Sequence, residues 1–116
     1  MVAVGVAARG GFSDDEHPRA RRVDTGIVGI SIKGMAFTKG TRTVAVGTSV
    51  TWKNLDDTTH TVTARDGTTF DSGPLRPGAT YSHVFSRRGT FEYLCTMHPF
   101  ITATITVVLP YGLEPK

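Results

Sequence analysis

From Ile27 to Val108, the segments between loops and turns alternate apolar and polar residues with a period of two. Period-two alternation lines one face of a pleated strand, whereas an amphipathic helix needs a period near 3.6. A chain patterned this way can bury its apolar side chains only by packing sheet on sheet. "IVGISIKGMAF" reads as one half-buried strand over Ile27–Phe37. "TVAVGTSVTWKN" reads as two short strands around Gly47, with Val44, Val46, Val50 and Trp52 in the core.

"LDDTT" is a loop, and "HTVTA" opens the next strand. "RDGTTFDSGPLRPGA" carries the Gly, Pro and Asp of turns and irregular coil. "TYSHVFSRRG" is an alternating strand with a turn at Arg88-Gly89, and "TFEYLC" and "ITATITVV" are the last two strands, separated by "TMHPF". Seven to eight short strands without a helix predict an all-β fold, a Greek-key antiparallel β-sandwich.

The length of 116 residues suits one such domain. We divide it into a polar leader over 1–25, a domain over 26–109 and a C-terminal tail over 110–116. The opening "MVAVGVAARGG" resembles the end of a secretory signal region, and His17 lies in the polar leader beside Pro18. The leader's Arg9, Arg19, Arg21 and Arg22 balance Asp14, Asp15, Glu16 and Asp24, so the formal charge of +3 resides in the body. There the cations are scattered among turns rather than clustered on one element, which argues against nucleic-acid binding and allows a mild preference for an acidic protein partner. No apolar run approaches the roughly 20 residues needed to span a bilayer, so no stable membrane insertion is expected.

The chemistry concentrates in "FEYLCTMHPFITATITV", which holds the single cysteine, Cys95, with His98 three residues later. One cysteine excludes an internal disulfide. Loops of a sandwich gather at its two ends, so one end can bring His60, where a turn feeds a strand, to the Cys95–His98 hairpin. One thiolate and two imidazoles suit copper or zinc far better than magnesium or calcium. Structural zinc would want a fourth strong ligand, and none is visible nearby. Two His and one Cys with a weak or absent axial donor is the pattern of copper electron transfer.

These residues resemble the cupredoxins, the type 1 blue copper proteins, in their amicyanin and plastocyanin-like branch, whose loop reads Cys-x-x-His-Pro-Phe-Met. The likeness spans most of residues 26–108, through "VGTSVTWKNLD", "TTHTVTA", "FDSGPLRPGATYSHVF" and "GTFEYLCTMHPF". It implies one copper ion, cycling between Cu(I) and Cu(II), on His60, Cys95 and His98.

Two positions depart from the family pattern. The family commonly has Asn after the first histidine; here Thr61 stands there, so any hydrogen bond to the cysteine loop must use a hydroxyl. The family's axial Met falls six residues after the cysteine, and that position is Ile101, which cannot donate to a metal. Loss of a thioether and exclusion of water favour the reduced ion, so a three-coordinate site of raised potential is expected. Met97 is expected to point outward and pack rather than ligate, and Met35 to lie in the core. His83 is expected to be a partly buried structural residue. Asn54 either bonds the ligand loop or ends a strand, and Pro99 and Phe100 surround His98 with apolar surface.

The resemblance implies a carrier of single electrons, not an enzyme. Multicopper oxidases and nitrite reductases need His-x-His pairs or a second copper, and His17, His60, His83 and His98 form no such pair. A copper storage or delivery protein, or a cupredoxin module of a larger copper oxidoreductase, are the alternatives. Transient protein redox partners would dock near His98 on a monomer. Its location would be periplasmic or extracellular, with or without a membrane tether.

Overall fold

A computed structural model describes residues 22–109 of the chain. Within them eight strands run in order: β1 (Ile27–Ile32), β2 (Phe37–Thr38), β3 (Arg42–Ala45), β4 (Thr48–Asn54), β5 (Thr63–Ala64), β6 (Thr80–Phe85), β7 (Gly89–Cys95) and β8 (His98–Val108). They form two four-stranded sheets, ordered β2-β1-β4-β6 and β3-β8-β7-β5. The result is the expected Greek-key β-sandwich. Two of its pairings are parallel, β1 with β4 and β3 with β8, because the chain crosses to the opposite sheet between those partners. The remaining pairings are antiparallel.

Alternation sets the core. β4 turns Thr48, Val50, Trp52 and Asn54 inward, and β7 turns Tyr93 and Cys95 inward. Trp52 is fully buried at the centre, stacked on Phe70 and Tyr81 and set edge-on to Phe85 and Tyr93. Each such aromatic pair adds about 0.5–1.5 kcal/mol beyond its burial, so this cluster joins the two sheets through the middle of the sandwich. The Tyr93 hydroxyl donates to the Gly40 carbonyl at 2.7 Å, tying β7 to the loop after β2. At the edge, Asp24 pairs with Val44, and its carboxylate accepts from Arg42 at 2.8 Å. Asp24, assigned to the leader by composition, is therefore tied to β3, while His17 lies outside the described residues.

Several local expectations are corrected. The run Ile27–Phe37 is not one strand: Gly34 and Met35 both adopt left-handed φ (64° and 59°) and fold it into a tight β1–β2 hairpin. A two-residue hairpin loop favours positive φ at both central positions, and Gly34 was its signal. Met35 consequently sits in a turn and is 36% exposed rather than in the core. Val46 occupies the turn before β4 and is half-buried, while Ala45 takes the interior place. "HTVTA" contributes only the two residues of β5, and β8 begins at His98, leaving Thr96-Met97 as the whole turn.

Candidate metal centre

Asn54 ends β4 one alternation beyond Trp52 and is fully buried. A buried amide must find partners. Its Nδ2 donates to the carbonyls of Thr58 and Leu75, both at 2.8 Å, and its Oδ1 accepts from the Asp56 N–H at 2.9 Å. These bonds curl residues 54–58 and join them to the segment around Leu75. Asn54 thus organises the approach to His60; the cysteine hairpin is held by other groups.

His60 follows that curl. Its backbone N–H donates to Leu75 O at 3.1 Å and its carbonyl accepts from Leu75 N–H at 2.7 Å, an isolated bridge that fixes where the ring enters. The ring is fully buried, and its Nε2 lies 2.9 Å from Asp56 Oδ2. The Asp56 carboxylate also accepts from Gly34 N–H at 2.7 Å and Met35 N–H at 3.0 Å. Burial raises the Asp56 pKa, but the hydrogen bonds from Met35, His60 and Gly34 outweigh it and hold this carboxyl below its usual range. Sequence reasoning missed Asp56; a carboxylate four residues before His60 was the available signal.

Cys95 closes β7, its side chain buried. Its Sγ lies 3.5 Å from His60 Nδ1 and 3.7 Å from His98 Nδ1, and the Thr61 backbone N–H points at it from 3.3 Å. That N–H gives the buried sulfur a backbone donor that fixes its position. The Thr61 hydroxyl accepts from the Thr96 N–H at 2.8 Å and lies 3.1 Å from the Thr96 hydroxyl. The expected hydroxyl-based hold on the cysteine hairpin is therefore present.

The hairpin itself is irregular. Leu94 pairs with Thr102, yet Cys95 pairs with His98, so Pro99, Phe100 and Ile101 are extra residues on β8. Pro99 has no N–H to give to a ladder, which suits it to this bulge. The bulge returns β8 with Ile101 facing inward, buried in the same apolar cluster as Cys95. His98 stays half-buried, with the Phe100 ring 6.1 Å from its own. Met97 and Phe100 are 50% and 73% exposed. His83 lies elsewhere, half-buried against Phe70 and Phe85 as expected.

Thus the structure brings together His60, Cys95 and His98, with ligand atoms all within 4.8 Å of one another. Metal–nitrogen bonds of about 2.0 Å and a metal–sulfur bond of about 2.3 Å at open, trigonal angles would put nitrogen and sulfur about 3.7 Å apart. The observed 3.5 and 3.7 Å separations fit one ion between them. Among the described residues this is the one group of three or more His, Cys or acidic side chains able to hold a metal.

The profile of the copper-binding proteins of the plastocyanin/azurin family matches residues 25–108. The chain belongs to this family. Amicyanin-alpha of Methylorubrum extorquens is 34% identical over 82 residues, covering 67% of this chain and 69% of the relative. Amicyanin of Paracoccus denitrificans is 31% identical over 110 residues, covering 90% of this chain and 84% of the relative. Among solved structures, the Cu(I) form of a methionine-to-alanine variant of amicyanin superposes with a TM-score of 0.65 at 27% identity, covering 70% of this chain and 81% of that one. A purple cupredoxin from Nitrosopumilus maritimus gives 0.62 at 29% identity, covering 69% and 98%. This member of the plastocyanin/azurin family is a cupredoxin, a blue copper electron-transfer protein with one copper ion as its cofactor. Among the described residues no helix is long and apolar enough to cross a membrane.

Proposed function

We propose that His60 Nδ1, Cys95 Sγ and His98 Nδ1 hold the copper ion, and that the protein carries single electrons between redox partners without turning over a substrate. The observation behind this reading is the convergence of those three atoms at 3.5 and 3.7 Å about the sulfur, with Asp56 occupying the far nitrogen of His60. Bound there, copper supplies one-electron chemistry between Cu(I) and Cu(II). The protein's part is to hold its donors still: His60 by the Leu75 bridge, Cys95 by Thr61, His98 by the start of β8.

Ile101 stands where the family has its axial methionine, buried and without a lone pair to offer. That favours the reduced ion and a raised potential. Because His60 is enclosed and His98 only half-buried, electrons pass by way of His98. Partners dock transiently on Met97, Pro99 and Phe100, a small apolar surface of the kind brief redox encounters use. We assign the domain to 26–109, with 1–25 as leader and 110–116 as tail, and place the protein in the periplasm or outside the cell as a monomer.

Adding Cu(II) to metal-free protein tests the reading. An intense thiolate-to-copper band in the visible, lost in Cys95→Ser, with reversible one-electron voltammetry is expected. A colourless, tightly held Cu(I) species would favour storage or delivery instead, and no binding would overturn the ligand assignment.

A further inference from the structure

The carboxylate of Asp56 has three nitrogen partners at once. Gly34 donates to Oδ1 at 2.7 Å, Met35 donates to Oδ2 at 3.0 Å, and His60 Nε2 lies 2.9 Å from Oδ2. Two of the three come from consecutive residues of the β1–β2 turn, and both have left-handed φ. For Gly34 that conformation costs little, but a methionine there is disfavoured by roughly 1–2 kcal/mol. The turn therefore holds a strained residue where its N–H meets the carboxylate. Leu55 N–H bonds Ile32 O at 2.8 Å, so the two segments stay in register on either side of Asp56.

A neutral imidazole carries one proton, on Nε2 or on Nδ1. A carboxylate fixed by two backbone donors can only accept, so the ring nitrogen facing it must carry the proton. The lone pair is then left on Nδ1, which faces Cys95 Sγ at 3.5 Å. With the opposite tautomer, an N–H would point at the sulfur and the imidazole could not coordinate through that nitrogen.

We propose that Asp56 is a positioning residue for the metal centre, which the Gly34–Met35 turn locks in place and which in turn holds His60 as the Nε2–H tautomer with Nδ1 aimed beside Cys95. The proposal rests on the reading of His60 as a ligand. It gives the β1–β2 hairpin a part in the centre, through one carboxylate. Outer partners of ligating histidines typically matter 10–100-fold, on the order of the effect expected here.

The test reads the ring itself. Long-range proton–nitrogen NMR on the metal-free protein, at a pH where imidazole is neutral, is expected to show His60 as the Nε2–H tautomer. Asp56→Ala removes the acceptor, and Asp56→Asn places an amide N–H₂ against at least one of the three donors. In both variants the Nδ1–H form should appear, and Cu(I) retention against a competing chelator should weaken by about 10–100-fold. Tyr93→Phe, which loses one buried hydrogen bond away from the ligands, should keep the wild-type tautomer and retention. A wild-type ring protonated on Nδ1 overturns the proposal without any variant. So does an unchanged tautomer and retention in both Asp56 variants, or a loss of stability alone like that of Tyr93→Phe. If copper leaves the wild-type His60 resonances unmoved, the ligand reading fails, and the tautomer comparison still decides the role of Asp56.

Discussion

The backbone N–H of Thr61 points at Cys95 Sγ across 3.3 Å while its side-chain hydroxyl accepts from the N–H of Thr96, the next residue along. A single residue beside the first imidazole thus holds both the sulfur and the turn that follows it. Thr63 adds a further hydroxyl contact to Thr61 at 3.1 Å, so the hold extends into β5.

Thr61→Val keeps the shape and the backbone N–H but removes the acceptor. The Thr96 N–H loses its partner, at a cost of about 1–3 kcal/mol. Urea unfolding of the metal-free protein measures this, and Thr61→Ser, which retains the hydroxyl, should fall near wild type. Equal losses in both variants would assign the effect to packing.

Ile101→Met restores a thioether to the buried position beside the Cys95 cluster. The potential should fall, because the added donor favours Cu(II). Each tenfold gain in relative preference for Cu(II) lowers a one-electron couple by about 59 mV. Voltammetry of the two proteins under the same conditions decides it. An unchanged or higher potential in the variant would remove Ile101 from the account of the redox poise.

His83 supplies a pH signature remote from the ligands. Burial against Phe70 and Phe85 lowers its pKa below the usual 6.5. The folded protein therefore binds fewer protons here than the unfolded chain, so this contribution to stability rises with pH through the window. It is complete above 6.5 and is lost as pH falls from there toward the depressed folded value. His83→Phe should flatten that part of a plot of urea midpoint against pH; an identical slope in both proteins would refute it.

Gly40 lies under Tyr93. A Cβ there would sit 2.6 Å from Phe37 Cβ and 2.7 Å from the Tyr93 hydroxyl oxygen. Phe37 Cβ is fixed by the backbone and the hydroxyl is bonded to Gly40 O, so neither withdraws cheaply. Gly40→Ala should cost about 1–3 kcal/mol, read as a lowered thermal midpoint of the metal-free protein. A midpoint equal to wild type would mean the β2–β3 loop shifts freely.

Much of this architecture is local information. Alternation in "TSVTWKN" turns Val50 and Trp52 inward whatever the rest of the chain does, because successive residues of a strand face opposite ways. The same rule carries Tyr93 and Cys95 to the interior of β7. The candidate ligands were legible as residue types at a family spacing, and Thr61 and Ile101 were legible as departures from it.

What alternation cannot encode is which distant groups meet. The break at Gly34-Met35 was marked only by Gly34 and by a change of phase, from Ile32 to Phe37, which a reading of "SIKGMAF" as one alternating run passed over. Asp56 looked like one acid of a polar loop until the fold set it between the β1–β2 turn and His60. Asn54 could have ended a strand anywhere; burial obliged its amide to find Thr58 and Leu75. Strand identity follows from side-chain order along the chain. The surroundings of the metal centre were decided by closure of the sandwich, which buries Asn54, His60 and Thr61, obliges them to find partners, and brings groups from distant segments within bonding reach.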